Sequence, residues 1–389
     1  MFSVPSFGLS MEVYMVTYEK LLRVLVLLVL AASGPLGCGL EHDPEDPTMV
    51  GEDDLDNVVL EEGDISLISA RFGIGDNNEF YTNLAHLHGR TLADQRFDFA
   101  SGIVLKNNSS SARTATVNLV LQGYSQIATQ LVQVPANGTA EVPPMNPTLD
   151  FDKLYSVTTP VASNIQLEVR EGDALVDLRV ETAQIQPINR FRWFWENGQG
   201  GYQDMRFLIG VLATPEDRGN AIQSLLTEAA QYTPTGSIHG YQGGNPDDAY
   251  AQAAAIYYAL QERGIVYTDV SGSFFDGAQN VKTPAQSLST GSTNCVDGML
   301  VFASAFEAMG MDPIFIFVSG HAFVGVWLGT GPDAQWVPIE TTMVSSATFD
   351  DAVNQGIANL ERANATQDPY AKVLNLKDLR SVGITPANL

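Results

Sequence analysis

The sequence is poor in cysteine and in basic residues. Only two cysteines, Cys38 and Cys295, occur among 389 residues, so no network of disulfide bonds can hold the fold together. Twenty lysines and arginines stand against 45 aspartates and glutamates, which gives a net charge of −25. Such a charge repels phosphate backbones and excludes nucleic acid as a partner. The hydrophobic share of 45% is nevertheless ample for the cores of two or three domains.

The first apolar run is short. It extends from Val24 to Ala32 behind basic residues, which is too few residues to predict a membrane-spanning helix. The segment Leu36-Gly37-Cys38 resembles a bacterial lipobox, although Pro35 stands where that motif usually has leucine. The resemblance implies a lipoprotein signal peptide at 1–38 and lipidation of Cys38. The protein is then expected to be anchored by lipid in the cell envelope, at the outer membrane of a bacterium. Secretion without lipidation and a retained anchor helix are the alternatives.

The next two segments differ in composition. From 39 to 64 the chain is acidic and carries two prolines, which predicts a flexible tether. Residues 65–190 contain β-rich or alternating runs such as Ala115–Leu121 and Ile165–Arg170, separated by turn signals. Short strands at this spacing predict a β-sandwich domain.

The second half of the chain changes to helical patterns that are followed by strands. Thr214-Pro215 predicts the start of a helix that extends to about Gln231, and Pro246 starts another that ends at Gly264. A third helix is predicted from Cys295 to about Met309, and strands from Ile314 to Ile339. Helices followed by an antiparallel meander predict an α+β domain at 207–389.

One cysteine, one histidine and one glutamate in this domain form a candidate catalytic set. Cys295 lies in a polar turn that opens an apolar helix, where the positive end of the helix dipole favours a thiolate. His321 and Glu340 follow on later strands. An imidazole can accept the thiol proton and a carboxylate can orient the imidazole, so the three types together indicate an activated sulfur nucleophile. The interval from Cys295 to His321 is far shorter than the roughly 130–150 residues typical of papain itself.

The predicted geometry of the last two strands supports this set. The turn Gly329–Pro332 predicts a hairpin in which His321 lies directly opposite Glu340, with Cβ atoms about 5 Å apart. A slip of one residue would move Glu340 to the other face of the sheet.

These residues resemble the transglutaminase-like superfamily, in which a cysteine at a helix start precedes two strands that carry histidine and a carboxylate. The matching segments are Gln279–Pro284, Cys295–Asp297 and Gly320–Leu328, within about Phe207–Gly356. The similarity is to a bacterial branch with Gly-His-Ala-Phe-Val-Gly-Val-Trp-Leu. Glu340 stands where many relatives have aspartate.

The resemblance implies a papain-like catalytic fold that transfers acyl groups from amides. Cys295 is then the nucleophile, His321 the base and later the acid, and Glu340 the orienting carboxylate. The oxyanion is expected to be held by the backbone amide of Cys295 and by Gln279, although Gln279 has an alternative role as a loop-stabilising amide. Asp297 is expected to brace the helix start. No metal site and no cofactor are predicted.

The function predicted from these residues is an exported cysteine protease or amidase that hydrolyses a peptide or isopeptide bond. Its partner is a peptide or protein amide substrate. Hydrolysis is preferred over cross-linking because water is abundant and no acceptor-amine site is recognisable. A non-catalytic binding or scaffold module and a true transglutaminase are the alternatives.

His86 and His88 form a second, weaker candidate site. Their spacing is that of two metal ligands on one strand face, but no third ligand lies nearby in the sequence. Hydrogen-bonded polar histidines are therefore the preferred interpretation.

Overall fold

The computed structural model describes residues 49–51, 55, 58–73, 78–92, 95–196, 201–269 and 277–387. They belong to one compact unit, Thr48–Leu389. The predicted signal peptide with Cys38 lies outside the described residues, as does the first part of the predicted tether. Within the described ranges, no helix combines the length and the apolar character needed to cross a bilayer.

The first half of the described chain consists mainly of strands. They are Ile65–Phe72 (β1), Glu79–Tyr81 (β2), Arg90–Leu92 (β3), Gln95–Phe97 (β4), Ala100–Asn107 (β5), Arg113–Leu121 (β6), Ala128–Val134 (β7), Thr139–Val142 (β8), Val161–Glu171 (β9) and Ala174–Gln186 (β10), with the short helix Phe151–Tyr155 (α1). One sheet has the strand order β2-β10-β9-β6-β7 and another the order β1-β5-β8. Neighbouring strands in both sheets are antiparallel except β2 and β10, which are parallel.

Alternation along the strands explains how these sheets bury apolar surface. In β6, Ala115, Val117, Leu119 and Leu121 are fully buried, because every second side chain points to the same face. Side chains of both sheets meet in one hydrophobic cluster. The strands predicted at Ala115–Leu121 and Ile165–Arg170 are confirmed within β6 and β9.

The end of the predicted tether is hydrogen-bonded to this part of the molecule. The backbone N–H of Val50 donates to Glu168 Oε1 at 2.7 Å, and that of Glu61 donates to the carbonyl of Leu175 at 2.9 Å. Glu168 itself is fully buried and paired with Arg170. The chain is therefore attached to the sheet at Val50, inside the segment predicted to be flexible.

The second half mixes helices with small sheets. The strands are Arg190–Arg192 (β11), Phe194–Glu196 (β12), Tyr202–Asp204 (β13), Val266–Tyr267 (β14), Ala278–Asn280 (β15), Ser292–Thr293 (β16), Pro313–Val318 (β17), His321–Trp327 (β18), Trp336–Ile339 (β19) and Lys372–Asn375 (β20). The helices are Ala221–Ala229 (α2), Pro246–Glu262 (α3), Pro284–Thr290 (α4), Cys295–Ala308 (α5), Phe349–Ala365 (α6) and Leu376–Ser381 (α7). The fold of the described chain is thus a mixed α/β arrangement.

An antiparallel sheet with the order β19-β18-β17-β20 supports the helices of this half. Helix α5 packs against β18, and α6 against β19. Helix α5 is almost entirely apolar, and all its residues from Val296 to Phe306 are buried. Its hydrophobic cluster also takes in Tyr81, Leu84 and Trp193 from the region before Phe207. The core beneath α5 therefore includes residues from both predicted domains.

The helix predicted from Thr214 begins later, at Ala221. The carboxylate of Asp217 accepts hydrogen bonds from the backbone N–H groups of Gly219, Ala221 and Ile222, at 3.1, 2.9 and 3.1 Å. A side chain that accepts three nearby backbone donors offers the chain an alternative to helical pairing. It holds the segment before Ala221 in a turn, and the helix starts after it. The other predicted helices, from Pro246 and from Cys295, are confirmed.

Candidate active site

Cys295 is the first residue of helix α5. The helix is capped by Asn294, whose side-chain oxygen accepts the backbone N–H of Asp297 at 2.8 Å, while Asp297 Oδ2 accepts the backbone N–H of Asn294 at 3.1 Å. This reciprocal capping box fixes the first turn. Cys295 is a free, half-buried cysteine. Its thiol therefore lies at the positive end of a rigidly capped helix, as predicted.

Asp297 connects the helix start to the segment that precedes it. Its Oδ1 accepts the backbone N–H of Lys282 at 2.8 Å, and the Lys282 ammonium donates to Ser292 just before the helix. Burial raises the pKa of Asp297, although the backbone donors of Asn294 and Lys282 act in the opposite direction. Both oxygens of this buried carboxyl accept backbone hydrogen bonds, which fits the bracing role predicted for it.

His321 is the first residue of β18. It is paired with Val318 of β17 across a two-residue turn in which Gly320 has a φ of 69°, a conformation that glycine adopts without strain. The imidazole stacks on Phe323, which lies two residues along the same face of the strand. The tight hairpin therefore presents the imidazole at the end of the sheet.

Glu340 follows directly after β19 and is only 3% exposed. Its Oε2 is 2.7 Å from His321 Nε2 and accepts the side-chain amide of Asn359 at 2.8 Å. Its Oε1 accepts the backbone N–H and the hydroxyl of Thr342 at 3.1 and 2.7 Å. Burial alone would raise the pKa of Glu340, but the contacts with His321 and Thr342 outweigh it and lower the pKa below its usual value. The carboxylate is fully satisfied and fixed in position.

His321 is in turn a charged partner for both neighbours. Burial lowers the pKa of His321, but hydrogen bonds and charge from Cys295 and Glu340 overcome it and raise the pKa from 6.5 to about 10. Because Nε2 is engaged by Glu340, Nδ1 is the nitrogen left to exchange a proton with the thiol of Cys295. A side-chain hydrogen bond joins His321 to Cys295 and another joins it to Glu340, so the three predicted residues are brought together with the imidazole between the sulfur and the carboxylate.

The predicted pairing of the last hairpin is wrong by two residues. Val324 is paired with Ile339 and Trp327 with Trp336, so Glu340 follows next to Phe323 instead of opposite His321. A shift of two residues keeps the side chain on the same face of the sheet, because side chains alternate. The contact between His321 and Glu340 therefore survives as a diagonal one.

Gln279 lies on β15, which pairs with β11 through Phe191. Its side-chain oxygen accepts the indole N–H of Trp193 at 3.0 Å. Because an indole nitrogen only donates, this contact fixes which end of the amide is oxygen and leaves the NH₂ group pointing away from Trp193. The buried Trp193 thus orients the side-chain amide of Gln279. Gln279 lies three residues before Lys282, whose backbone N–H is hydrogen-bonded to Asp297 of helix α5.

Asn359 is the site residue that sequence reasoning missed. It lies on α6, and its oxygen accepts the side-chain amide of Gln355 at 2.9 Å, which directs its own NH₂ group to Glu340. Asparagine on an amphipathic helix carries no motif, so only the packing of α6 against β19 reveals the contact.

His86 lies in the 3₁₀ helix Thr82–Leu87 and His88 directly follows it, so the two do not share the strand face that a pair of metal ligands at this spacing would need. His86 Nε2 is 2.9 Å from the carbonyl of Thr385, and His88 stacks between aromatic rings that include Phe97. Burial lowers the pKa of His86 to about 4 and that of His88 to about 3. In the described part of the chain, no group of histidine, cysteine, aspartate and glutamate side chains is arranged to hold a metal ion.

Comparison with known proteins adds little to this geometry. No family model matches the chain, and no curated protein does. Among solved structures, the exo-chitosanase CsxA of Amycolatopsis orientalis is similar over 51% of this chain and 27% of its own, at 15% identity and a TM-score of 0.22. The aligned region thus spans about a quarter of the length of that enzyme, and so low a score carries no argument about fold or activity.

Proposed function

We propose that this protein is a cysteine-dependent acyl-transfer enzyme, a protease or amidase of transglutaminase-like type that hydrolyses a peptide or isopeptide bond. The observation that carries the proposal is the continuous set from Cys295 through His321 to Glu340. The thiol begins a capped helix, the imidazole has a raised pKa, and its Nε2 is 2.7 Å from a buried carboxylate. Structural ion pairs also perturb pKa values, but a sulfur at a helix start adds a nucleophile to this pair.

Each residue has a distinct chemical task in the proposed reaction. The Cys295 sulfur, with its proton held on His321 Nδ1, attacks the amide carbonyl and forms a tetrahedral intermediate. His321 then gives that proton to the departing amine, and an acyl-enzyme thioester remains. A water molecule, deprotonated by the same nitrogen, attacks the thioester and releases the acid. Glu340 stays ionised throughout and stabilises the imidazolium.

The negative oxygen of the tetrahedral intermediate needs hydrogen-bond donors. The backbone N–H of Cys295 is the first, because the first N–H groups of a helix have no partner within the helix. The NH₂ group of Gln279 is the second donor in this proposal, since Trp193 holds its oxygen. Asp297 contributes by fixing the helix start.

The wider proposals follow from the sequence. The fold class proposed is a β-sandwich followed by an α+β, papain-like domain, and the location is the cell envelope, through a lipid on Cys38. A peptide or protein amide is the proposed substrate. The competing proposal is a non-catalytic scaffold of the same fold.

Alkylation of the thiol separates the enzyme from the scaffold. In the full chain carrying Cys38→Ser, Cys295 is the only thiol, and its rate of reaction with iodoacetamide is measured at pH 7. An imidazolium partner promotes this reaction, so His321→Ala should slow it by about tenfold. Equal rates in the two proteins would favour the scaffold.

Turnover is tested by screening peptide, isopeptide and cell-wall amides for amine release. Release by the parent protein and none by Cys295→Ala is the expected result. Repeating the assay with an added primary amine shows whether water or the amine takes the acyl group. Release that persists in Cys295→Ala would overturn the proposal.

A further inference from the structure

An open groove of about 560 Å³ begins at His321. It is lined by Asn359 and Arg362 of helix α6, by Thr366 directly after that helix, and by Ser319 of the β17–β18 turn. This volume lies within the usual range of ligand pockets. The groove is therefore large enough for a part of a substrate.

The position of the groove indicates which part of the substrate it would hold. Of the two reacting side chains, His321 lines the groove and Cys295 does not. In amide hydrolysis by a thiol, the imidazole delivers its proton to the departing amine, so the leaving fragment lies on the imidazole side. Asn359, which holds Glu340, also lines the groove and connects it to the catalytic set.

The groove contains one cation whose charge is not neutralised by a neighbour. Arg362 makes no ion pair and no side-chain hydrogen bond with any described residue, and it is exposed. Asp368 also lines the groove, but its carboxylate is hydrogen-bonded to other groups than Arg362. It accepts the backbone N–H and the hydroxyl of Ser319, both at 2.6 Å, and the backbone N–H of Tyr370 at 2.9 Å.

Arg362 belongs to the minority of described arginines that have no carboxylate partner. Acidic residues outnumber basic ones by 45 to 20, and most arginines in the described ranges are held by a carboxylate, as Arg263 is by Glu228 and Arg380 by Glu307. A guanidinium presents a planar fork of donors that matches a carboxylate. An arginine left without an acid, on the wall of a groove, is available for an anion from outside.

We propose that Arg362 binds a carboxylate on the leaving-group side of the substrate, next to the amide that Cys295 attacks. This inference rests on the proposed amide chemistry for the direction of the substrate. The carboxylate comes either from an acidic side chain or from the free α-carboxylate of the leaving fragment. Arg362 is a specificity residue and takes no part in proton transfer.

Cleavage of a random hexapeptide library by the full chain with Cys38→Ser tests the preference. The library is supplied with free-acid and with amidated C termini, and products are sequenced by mass spectrometry. We expect carboxylates to be enriched about tenfold on the leaving side, the size of one charge-assisted hydrogen bond. Loss of the enrichment on amidation identifies the α-carboxylate as its source. Enrichment in both libraries identifies an acidic side chain.

Variants of the arginine connect the preference to this position. Arg362→Gln should abolish the enrichment, and Arg362→Glu should replace it by enrichment of lysine and arginine. Arg71→Gln is the matched control, because Arg71 is an exposed arginine of β1 without an ion pair in the described ranges and lies outside the groove. An unchanged preference in Arg362→Gln overturns the inference.

A binding experiment keeps this inference distinct from the proposed function. The same library is passed over immobilised Cys295→Ala protein, and the retained peptides are sequenced. Retention that favours carboxylates and is lost in Cys295→Ala/Arg362→Gln, without turnover by the parent of this library or of the amides screened above, supports the anion site and refutes the enzyme. Turnover without any carboxylate preference supports the enzyme and refutes the site. If the protein neither retains peptides nor turns them over, both proposals are refuted.

Discussion

His321 Nε2 and Glu340 Oε2 are 2.7 Å apart, although the two residues are diagonal neighbours in the hairpin. Directly opposite Cβ atoms in antiparallel strands are about 4.5–5.5 Å apart, whereas diagonal neighbours are about 7–8 Å apart. A glutamate has one methylene more than an aspartate and spans the longer separation. The register thus gives a physical reason for glutamate instead of aspartate at this position.

Shortening this side chain should separate the pair. In Glu340→Asp we expect the carboxylate to withdraw from His321, so that the pKa of His321 falls from about 10 towards 6.5. The turnover number should fall by about a hundredfold, within the range for loss of acid–base assistance. NMR titration of the imidazole and kcat on an amide substrate measure the two effects.

Glu361→Asp is the control for this variant, because Glu361 is an exposed carboxylate on α6. It should leave both quantities unchanged. An unaltered His321 titration in Glu340→Asp would show that the diagonal distance does not decide the choice of acid.

The face of the sheet on which Glu340 lies could be predicted from the sequence, but the register of its strand against β18 could not. Period-two alternation and the Gly329–Pro332 turn locate the strands and the face, because each depends on local chain geometry. The register depends on how the turn closes and on the backbone bond from Glu340 to Ala352 of α6, which the strand pattern does not contain. Asn359 could not be predicted for the same reason, because its hydrogen bond to Glu340 forms only when α6 packs on β19.

The contact between His321 and Glu340 should make the stability of the folded protein depend on pH. Its pKa is about 10 in the folded protein and 6.5 when unfolded, so the folded state binds the extra proton between these values. The stabilisation is fully present below pH 6.5 and is lost as the pH rises towards 10. Because folding lowers the pKa of Glu340, the stabilisation contributed by its carboxylate is lost as the pH falls below about 4.5.

Denaturant unfolding from pH 4 to 10 tests this sign in the parent protein and in His321→Gln. The difference in free energy of unfolding should be greatest between about pH 4.5 and 6.5, at roughly 3 kcal/mol, as for other buried pairs that lose a partner. His88→Phe provides the contrast. Burial lowers the pKa of His88 to about 3, so the parent loses stability as the pH falls below 6.5, and Phe should remove that loss. A difference between the parent and His321→Gln that does not change with pH would contradict the charged pair.

Asn359 should act by positioning Glu340. Asn359→Ala removes one of the two donors to Glu340 Oε2, so the pKa of that carboxyl should rise and the acid limb of the kcat/KM profile should move to higher pH. We expect about a tenfold loss of kcat at neutral pH with little change in KM. Asn364→Ala, an exposed position on the same helix, should leave the profile in place. A loss of activity without movement of the acid limb would indicate a structural role only.

Gly298 should set the spacing between the nucleophile and the acid. It lies in the first turn of α5 after Cys295, and a Cβ added there would be 2.9 Å from the hydroxyl oxygen of Thr341 and 3.1 Å from its Cβ. Alanine favours a helix over glycine by up to about 1 kcal/mol, but overpacking costs about 1–3 kcal/mol, so Gly298→Ala should be destabilising by about 1 kcal/mol. Because Thr341 follows Glu340, displacing it should also lower kcat.

A second substitution separates crowding from a change in helix propensity. The Thr341 hydroxyl is buried and has no partner among the described residues, so Thr341→Ala removes atoms from the contact without breaking a hydrogen bond. In the double variant Gly298→Ala/Thr341→Ala, we expect part of both losses to be recovered, with a coupling free energy of at least about 0.5 kcal/mol. Denaturant unfolding and kcat measure the cycle. Strictly additive losses would show that the approach of α5 to Thr341 does not fix the distance from Cys295 to Glu340.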